Sequence, residues 1–455
     1  MDIPQKTQKA MVICAYALSR IKPSHEENAA TRKIVDEFYL VLRNVVPSDV
    51  DVELMGSVAK GTHLRGSTDL DFFLLFPKTY SKTQVKTLGL TYAKKASKNS
   101  KYEIRYAEHP YLRTYFHGYK IDIVPSYKIG RIREKGTSVD RSQLHTKYIK
   151  ERLSDSQKDD VRLLKQFMKN LGIYGAELRV EGFSGYACEL LILYYGTFMK
   201  LLESASKWDS PTIDIENYYG GRAREKFDSP IVIIDPVDMK RNVAAVISHT
   251  SLSRFILAAR KFLKEPSSSF FFKEKVVHNR KHLRKLILDR KSRFLAIEFK
   301  APNLVEDILW PQLRKTARAM LAFLHACDFI PLGHYFWSDG KKCMIFFEFL
   351  VYELPAIRKL YGPAVKFEND VSKFIEAHKN AINLHLEHER IVAIEKRKLT
   401  NAYLALKILL KNPSKHGIPK NFRPCLKKVR FLTLSDLLSD KYISVAGDYY
   451  TRKIE

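Results

Sequence analysis

Residues 56 to 71 read Gly-Ser-Val-Ala-Lys-Gly-Thr-His-Leu-Arg-Gly-Ser-Thr-Asp-Leu-Asp, and the apolar run Phe72-Phe73-Leu74-Leu75-Phe76 follows directly. Residues two apart on a strand share a face, so Asp69 and Asp71 present two carboxylates side by side. Adjacent carboxylates repel, and a hard divalent cation such as Mg²⁺ removes that cost. Upstream, the Gly56-Ser57 turn offers backbone N–H groups suited to phosphate. Together these residues describe a site that grips a metal-bound triphosphate.

A third carboxylate fits the same site. The segment Tyr119-Lys120-Ile121-Asp122-Ile123-Val124-Pro125 reads as a strand with one acid between isoleucines. If buried, that acid needs a partner, because an isolated buried carboxylate is expensive. Asp69, Asp71 and Asp122 on neighbouring strands can hold two Mg²⁺ ions, one activating an attacking hydroxyl and one steadying a leaving pyrophosphate. The bland alternatives are a solvated Asp-x-Asp at a strand start and a lone strand-edge Asp.

Gly56-Ser57, Asp69-x-Asp71 and Asp122 resemble the nucleotidyltransferase signature of the DNA polymerase beta superfamily. Further segments narrow the resemblance: Arg179-Val-Glu-Gly-Phe-Ser-Gly-Tyr-Ala-Cys-Glu-Leu-Leu, Asp235-Pro-Val-Asp-Met-Lys-Arg-Asn-Val-Ala-Ala, Glu298-Phe-Lys-Ala-Pro-Asn-Leu-Val-Glu-Asp and Glu395-Lys-Arg-Lys-Leu-Thr-Asn-Ala. In this order, over most of the chain, they resemble the archaeal, class I CCA-adding enzymes. The resemblance implies a multidomain α+β fold with a polymerase-beta-like head, a helical middle domain and an α/β C-terminal body and tail that bind RNA. It implies addition of C, C and A to the 3′ end of tRNA from CTP and ATP. Another template-independent RNA nucleotidyltransferase, such as a poly(A) polymerase, or a non-catalytic RNA-binding protein on the same scaffold, stays open.

Size and charge agree with a polyanionic partner. The 455 residues exceed one ordinary core and suggest several domains. A formal net charge of +28 makes nucleic acid the expected partner, against the bland reading of a generally basic surface. The excess is clustered, with eleven Lys or Arg and no acid from Lys396 to Arg430. Membrane attraction is the competing explanation, but the longest apolar stretch, Leu190 to Met199, is too short to span. No secretory leader is legible at the start, so the expected location is cytoplasmic. The five cysteines lack Cys-x-x-Cys pairs and suggest neither a zinc site nor disulfides. The oligomeric state is not legible, and a homodimer stays open.

Periodicity supports helices over Thr7–Leu18 and Asn28–Val45, strands at Val52–Met55 and Leu70–Phe76, and a helix over Thr83–Ala96. Three β-rich runs follow at 102–107, 112–116 and 120–124, completing a catalytic head over 1–139. A mainly helical nucleotide- and base-recognition domain is expected over 140–265. It includes a strand Ile231–Ile234 and a helix from Asn242 to Phe262. The Pro266-Ser-Ser-Ser run reads as a linker. An α/β body over 266–388 should carry strands Phe294–Phe299 and Cys343–Val351 around a helix Ile308–His325, with turns across 328–342. A basic, tRNA-binding tail takes 389–455.

Within this plan Ser57 and Lys60 should touch the phosphates, although Lys60 could be a solvated loop lysine. The resemblance adds His145, Lys165 and Tyr174 as nucleotide contacts. Taken alone, each has a structural alternative: a capping histidine, a solvated helix face and a core aromatic. Arg241 is the candidate for base choice. Its side chain only donates hydrogen bonds, and the pairing edges of C and A present acceptor nitrogens where U and G present N–H. A fixed arginine accepts the first two and leaves donors facing donors with the others. A salt bridge to Asp235 or Asp238 is the alternative, and it is compatible with a base contact.

Overall fold

The computed structural model describes residues 3–67, 69–106, 110–132, 139–273 and 278–451. The chain divides into two compact units, Met1–Lys275 and Val276–Ile454.

The first unit opens with α1 (Ile3–Ile21) and α2 (His25–Arg43). The Ser24 side chain caps α2 and Glu27 answers the Ser24 backbone, so both ends of the capping box are satisfied. β1 (Asp51–Met55) leads through the short helix α3 (Gly56–Ala59) to β2 (Asp69–Phe76). Then come α4 (Lys82–Ala96), β3 (Tyr102–Tyr106), β4 (Pro110–Phe116) and β5 (Tyr119–Tyr127). The expected 102–107 strand runs into residues outside those described. The sheet has the order β1-β2-β5-β4-β3, and β2 runs parallel to β5. Alternation sorts its side chains. Leu70, Phe72, Leu74 and Phe76 join Ile121 and Ile123 in a core with Phe38, Leu42, Val85 and Ala93. The opposite face carries Asp69 and Asp71, then Phe73 and Leu75 against Met55. A one-residue slip would bury both aspartates among apolar side chains, so the register is strongly specified.

The same unit continues with α5 (Arg141–Arg152), α6 (Asp155–Asn170), α7 (Gly185–Tyr195), α8 (Phe198–Ala205), β6 (Thr212–Ile213), β7 (Val232–Asp235), β8 (Asp238–Asn242) and α9 (His249–Lys264). Two expectations are corrected. The helix expected from Asn242 starts instead at His249, behind the Ser248 cap, because Asn242 ends a strand. Its Oδ1 accepts from the Ile233 and Ala244 N–H groups, both at 2.9 Å, and so closes the β7–β8 hairpin. The Pro266-Ser run is no spacer either. Phe271 is fully buried and meets Phe167, Phe198 and Phe262, which fixes this stretch to the helical core.

The second unit contains α10 (Arg280–Asp289), β9 (Arg293–Lys300), α11 (Glu306–Ala326), β10 (Ile330–Ser338), β11 (Lys342–Val351), β12 (Ile357–Ala364), α12 (Glu368–Ala377), β13 (Asn383–Glu387), β14 (Arg390–Lys396), α13 (Ala402–Lys411), β15 (Arg430–Phe431), α14 (Leu434–Leu437) and α15 (Ile443–Tyr450). Its sheets have the orders β10-β11-β9-β15 and β12-β14-β13. Leu313, Ala317 and Met320 of α11 share a core with Ile297, Ile345 and Phe347 and with Leu406 and Leu409 of α13. The turns expected over 328–342 are largely the strand β10. Pro331 and Gly333 obscured it, and both are tolerated because β10 lies at the sheet edge. The stretch from Glu389 is not appended to the body. β14 pairs with β12 and β13, β15 pairs with β9, and the apolar face of α13 is core. Its lysines, among them Lys407, Lys411, Lys427 and Lys428, stay on the surface.

All five cysteines are free thiols. Among the described residues no helix is long and apolar enough to cross a membrane.

Candidate active site

Parallel pairing sets Asp71 of β2 directly beside Asp122 of β5, and Asp69 beside Lys120. The three carboxylates therefore lie on one face of two neighbouring strands, about 4.8 Å apart in the pairing direction. Asp122 meets the partner its surroundings demand. Arg113, opposite it on β4, donates from Nε and NH2 to its two oxygens, both at 2.6 Å. Lys120 Nζ lies 2.7 Å from Asp69 Oδ1. As placed, Asp69 and Asp122 are paired with cations, and no group of three metal-ligating side chains is gathered among the described residues.

Asp71 is different. Among the described residues no side-chain donor bonds its carboxylate. Burial pushes it up to about 6, with Asp122 and then Asp69 adding repulsion. Lys120 and Lys60 offset this only in part, and three carboxylates on one face are oxygen donors that suit a hard divalent cation. Gly56 packs directly against this carboxylate. It sits at φ +72°, and a Cβ there would lie 2.1 Å from Asp71 Oδ2. Glycine is required on both counts.

The loop between α3 and β2 is held from outside. Arg162 of α6 donates from Nε to the His63 carbonyl at 2.9 Å and from NH2 to the Gly61 carbonyl at 2.5 Å. Lys165 Nζ reaches the Thr62 carbonyl at 3.1 Å and its hydroxyl at 2.9 Å. Neither basic side chain is solvated: Arg162 is 7% exposed and Lys165 2%. Lys60 is also buried, so the solvated-lysine alternative fails. Its Nζ lies 2.5 Å from Glu189 Oε2, while Glu189 Oε1 takes Lys165 at 3.2 Å and the Thr62 hydroxyl at 2.6 Å. Burial alone would raise the Glu189 carboxyl. Lys60 and Lys165 outweigh burial and hold it well below its ordinary range. Ser57 stands half-buried in α3 and its carbonyl accepts from the Thr62 N–H at 2.9 Å.

A second cluster gathers around Asp235 at the end of β7. Arg241 NH1 lies 2.8 Å from Asp235 Oδ2, and His145 Nε2 lies 2.9 Å from the same oxygen. The Tyr186 hydroxyl donates to Oδ1 at 3.1 Å. The salt-bridge alternative for Arg241 is thus realised with Asp235, whereas Asp238 is 3.4 Å from Arg141. His145 stacks on Tyr186 with centroids 3.9 Å apart, and Lys60 Nζ lies 5.7 Å from the centre of that ring. Burial pushes the His145 imidazole down, against the opposing pull of Asp235. Tyr174 is partly buried, with its hydroxyl 3.1 Å from where a Cβ on Gly185 would stand. Burial raises that hydroxyl and keeps it protonated.

Arg113, Lys120, Thr62, Tyr186 and Glu189 were not among the site residues expected from sequence. Only Glu189 left a legible signal, as the one acid in the apolar helix Gly-Tyr-Ala-Cys-Glu-Leu-Leu-Ile-Leu-Tyr-Tyr.

The chain also matches known families along most of its length. Residues 32–154 match the model described as nucleotidyltransferase domain. Residues 159–272 match tRNA nucleotidyltransferase, second domain, and residues 290–429 match CCA-adding enzyme, C-terminal domain. The chain is 37% identical over 411 residues to the CCA-adding enzyme of Methanothermobacter thermautotrophicus, covering 89% of each chain. It is 36% identical to that of Methanocaldococcus jannaschii over 80% of this chain and 84% of the relative. With that of Archaeoglobus fulgidus it shares 36% identity over 86% and 87%. Identity at this level, sustained from the carboxylate-bearing head into the C-terminal unit, places the chain in the family of CCA-adding enzymes.

Proposed function

We propose that this protein adds C, C and A to the 3′ end of tRNA without a nucleic-acid template, using CTP and ATP. In each step the 3′ oxygen bonds to the α-phosphorus, and the bond to the β-phosphate oxygen breaks to release pyrophosphate. The observation that carries this reading is Asp71, a half-buried carboxylate with no side-chain hydrogen-bond donor among the described residues, in register with Asp122 and on the same face as Asp69. Asp69, Asp71 and Asp122 would hold divalent ions, Mg²⁺ in our reading, which supply charge neutralisation and an acidified 3′ hydroxyl. Ser57 and Lys60 are the phosphate contacts, and His145, Lys165 and Tyr174 line the remainder of the nucleotide site. Arg241 reads the base. The head over 1–139 carries chemistry, the rest of the first unit reads the nucleotide, and the second unit, Val276–Ile454, holds the tRNA body. The expected location is the cytoplasm, where tRNA is matured. The deciding experiment supplies tRNA lacking CCA with each labelled nucleotide in turn and resolves products by length. Products ending after C, C and A support the reading, whereas long homopolymers would point to a poly(A)-polymerase-like activity.

Arg241→Ala relaxes nucleotide choice more than it weakens tRNA binding. Losing a directional hydrogen-bond pattern costs roughly 1–3 kcal/mol, or about one to two powers of ten in discrimination. U and G incorporation, relative to C and A, staying at wild-type levels sinks the role. A second prediction concerns the surface lysines of the C-terminal unit. Replacing Lys407, Lys411, Lys427 and Lys428 by Ala raises the KM for tRNA and leaves that for CTP unchanged. Duplex recognition of this kind rests on backbone phosphates, so the slope of log affinity against log salt should flatten by somewhat under one unit for each phosphate no longer neutralised. An unaltered slope returns these lysines to the role of solvated surface.

A further inference from the structure

The Asp235 carboxylate has no exposure to solvent, yet it organises groups from distant parts of the first unit. Arg241 NH1 at 2.8 Å and His145 Nε2 at 2.9 Å share its Oδ2. The Tyr186 hydroxyl and the Val237 N–H, both at 3.1 Å, share Oδ1. His145 comes from α5, Tyr186 from α7, and Arg241 from β8 across the Pro236-Val237 turn. A fully buried charge with hydrogen bonds to every side has little freedom to move.

Arg241 differs from its anchor in one respect. Its side chain keeps 32% of its surface exposed, and among the described residues only NH1 is hydrogen-bonded. Its Nε and NH2 donors therefore remain for a ligand. A guanidinium is planar and rigid, so anchoring one terminal nitrogen against a fixed acceptor limits how far the remaining donors can swing. An arginine free to swing could retreat from the N–H of uracil or guanine at little cost. One tethered at NH1 cannot.

We propose that Asp235 is the positioning residue for base selection: by holding the Arg241 guanidinium at NH1, and His145 and Tyr186 around it, it makes the donor pattern of Arg241 rigid enough to reject bases that present N–H. This inference rests on the reading of Arg241 as the base-selecting residue. It adds that selectivity is a property of the tether as much as of the arginine. It also assigns Tyr186 a place, as the aromatic support that keeps His145 on Oδ2 and brings Lys60, 5.7 Å from its ring centre, next to the base-selecting cluster.

The test uses the full-length protein with tRNA ending in its discriminator base, and measures kcat/KM for CTP and UTP separately. Asp235→Asn should lower the preference for C over U by about tenfold or more, because an amide presents a donor as well as an acceptor and cannot hold the guanidinium by charge. The affinity for tRNA should change less than twofold. Combining Asp235→Asn with Arg241→Ala should cause no further fall in preference beyond Arg241→Ala alone, since residues acting through one another are not additive. Asp235→Glu provides a second route if the amide variant does not fold. It keeps the charge but displaces the carboxylate by one methylene, and preference should again fall while tRNA affinity holds. Wild-type preference in a folded Asp235 variant, alongside reduced preference in Arg241→Ala, overturns the positioning role and leaves the base-selection reading standing. Unchanged preference in Arg241→Ala overturns both. Additive effects in the double variant overturn the positioning role too, because Asp235 then acts other than through Arg241.

Discussion

Asp71→Asn should lower turnover about a hundredfold to a thousandfold while tRNA binding stays close to that of the unaltered protein. The amide has nearly the shape of the carboxylate, so the close approach to Gly56 and the register with Asp122 survive. What disappears is a negative charge facing the place where charge develops during transfer, and single groups of that kind are worth factors of about 10² to 10³. Stability provides the control. The Asp71 carboxyl stands near 6 in the fold against an ordinary 3.8, so its ionisation opposes folding at neutral pH. Removing the charge should leave the protein at least as stable in urea. Near-normal turnover with Mg²⁺ in a stable Asp71→Asn protein would falsify its assignment as a metal ligand.

Glu189→Ala should cost stability instead, by about 3–5 kcal/mol, the usual penalty for leaving buried charge unpaired. Here two ammonium groups, Lys60 and Lys165, are deprived of a shared partner in a site where the lysines are 8% and 2% exposed. The effect should appear as a lower urea midpoint at neutral pH. The sign of the pH dependence follows from the depressed carboxyl. The folded Glu189 sits near 2 against an ordinary 4.5. Its contribution is complete above the ordinary value and disappears as pH falls from about 4.5 toward 2. In Glu189→Ala the acid limb of the stability profile should therefore flatten across that window. An unchanged midpoint would mean that the lysines find other partners. Glu189→Gln should fall between, since the amide oxygen still accepts but carries no charge.

Local pattern revealed much of the head. The Asp-x-Asp pair, its glycine turn and the third acid were legible because each lies within one strand or turn, where a period of two settles which side chains share a face. The depth of Lys60 and Lys165 was not. A lysine on a helix face looks solvated until the helix that covers it is known, and Glu189 comes from a different helix. The Asp235 cluster was hidden for the same reason, as His145 and Tyr186 reach it only through tertiary packing. Local composition misled in three places. Asn242 resembled a helix start because the residues after it are apolar, yet its amide closes a hairpin. Pro266 and three serines resembled a tether, while the phenylalanines behind them were core. Pro331 and Gly333 made an edge strand look like a turn.

That edge strand bears on how the molecule behaves in a crowded solution. β10 is the outer strand of its sheet, and an outer strand with a full row of open N–H groups invites another chain to add on. Pro331 supplies no N–H, and the pairing with β11 shifts register on both sides of it. The Tyr449 ring lies against Gly333 so closely that a Cβ there would come within 2.4 Å of its hydroxyl oxygen. A flat, continuous template is thereby denied at the end of the strand where Ile330 and Leu332 are exposed. The irregularity that concealed β10 in the sequence also makes this edge a poor template for a further strand.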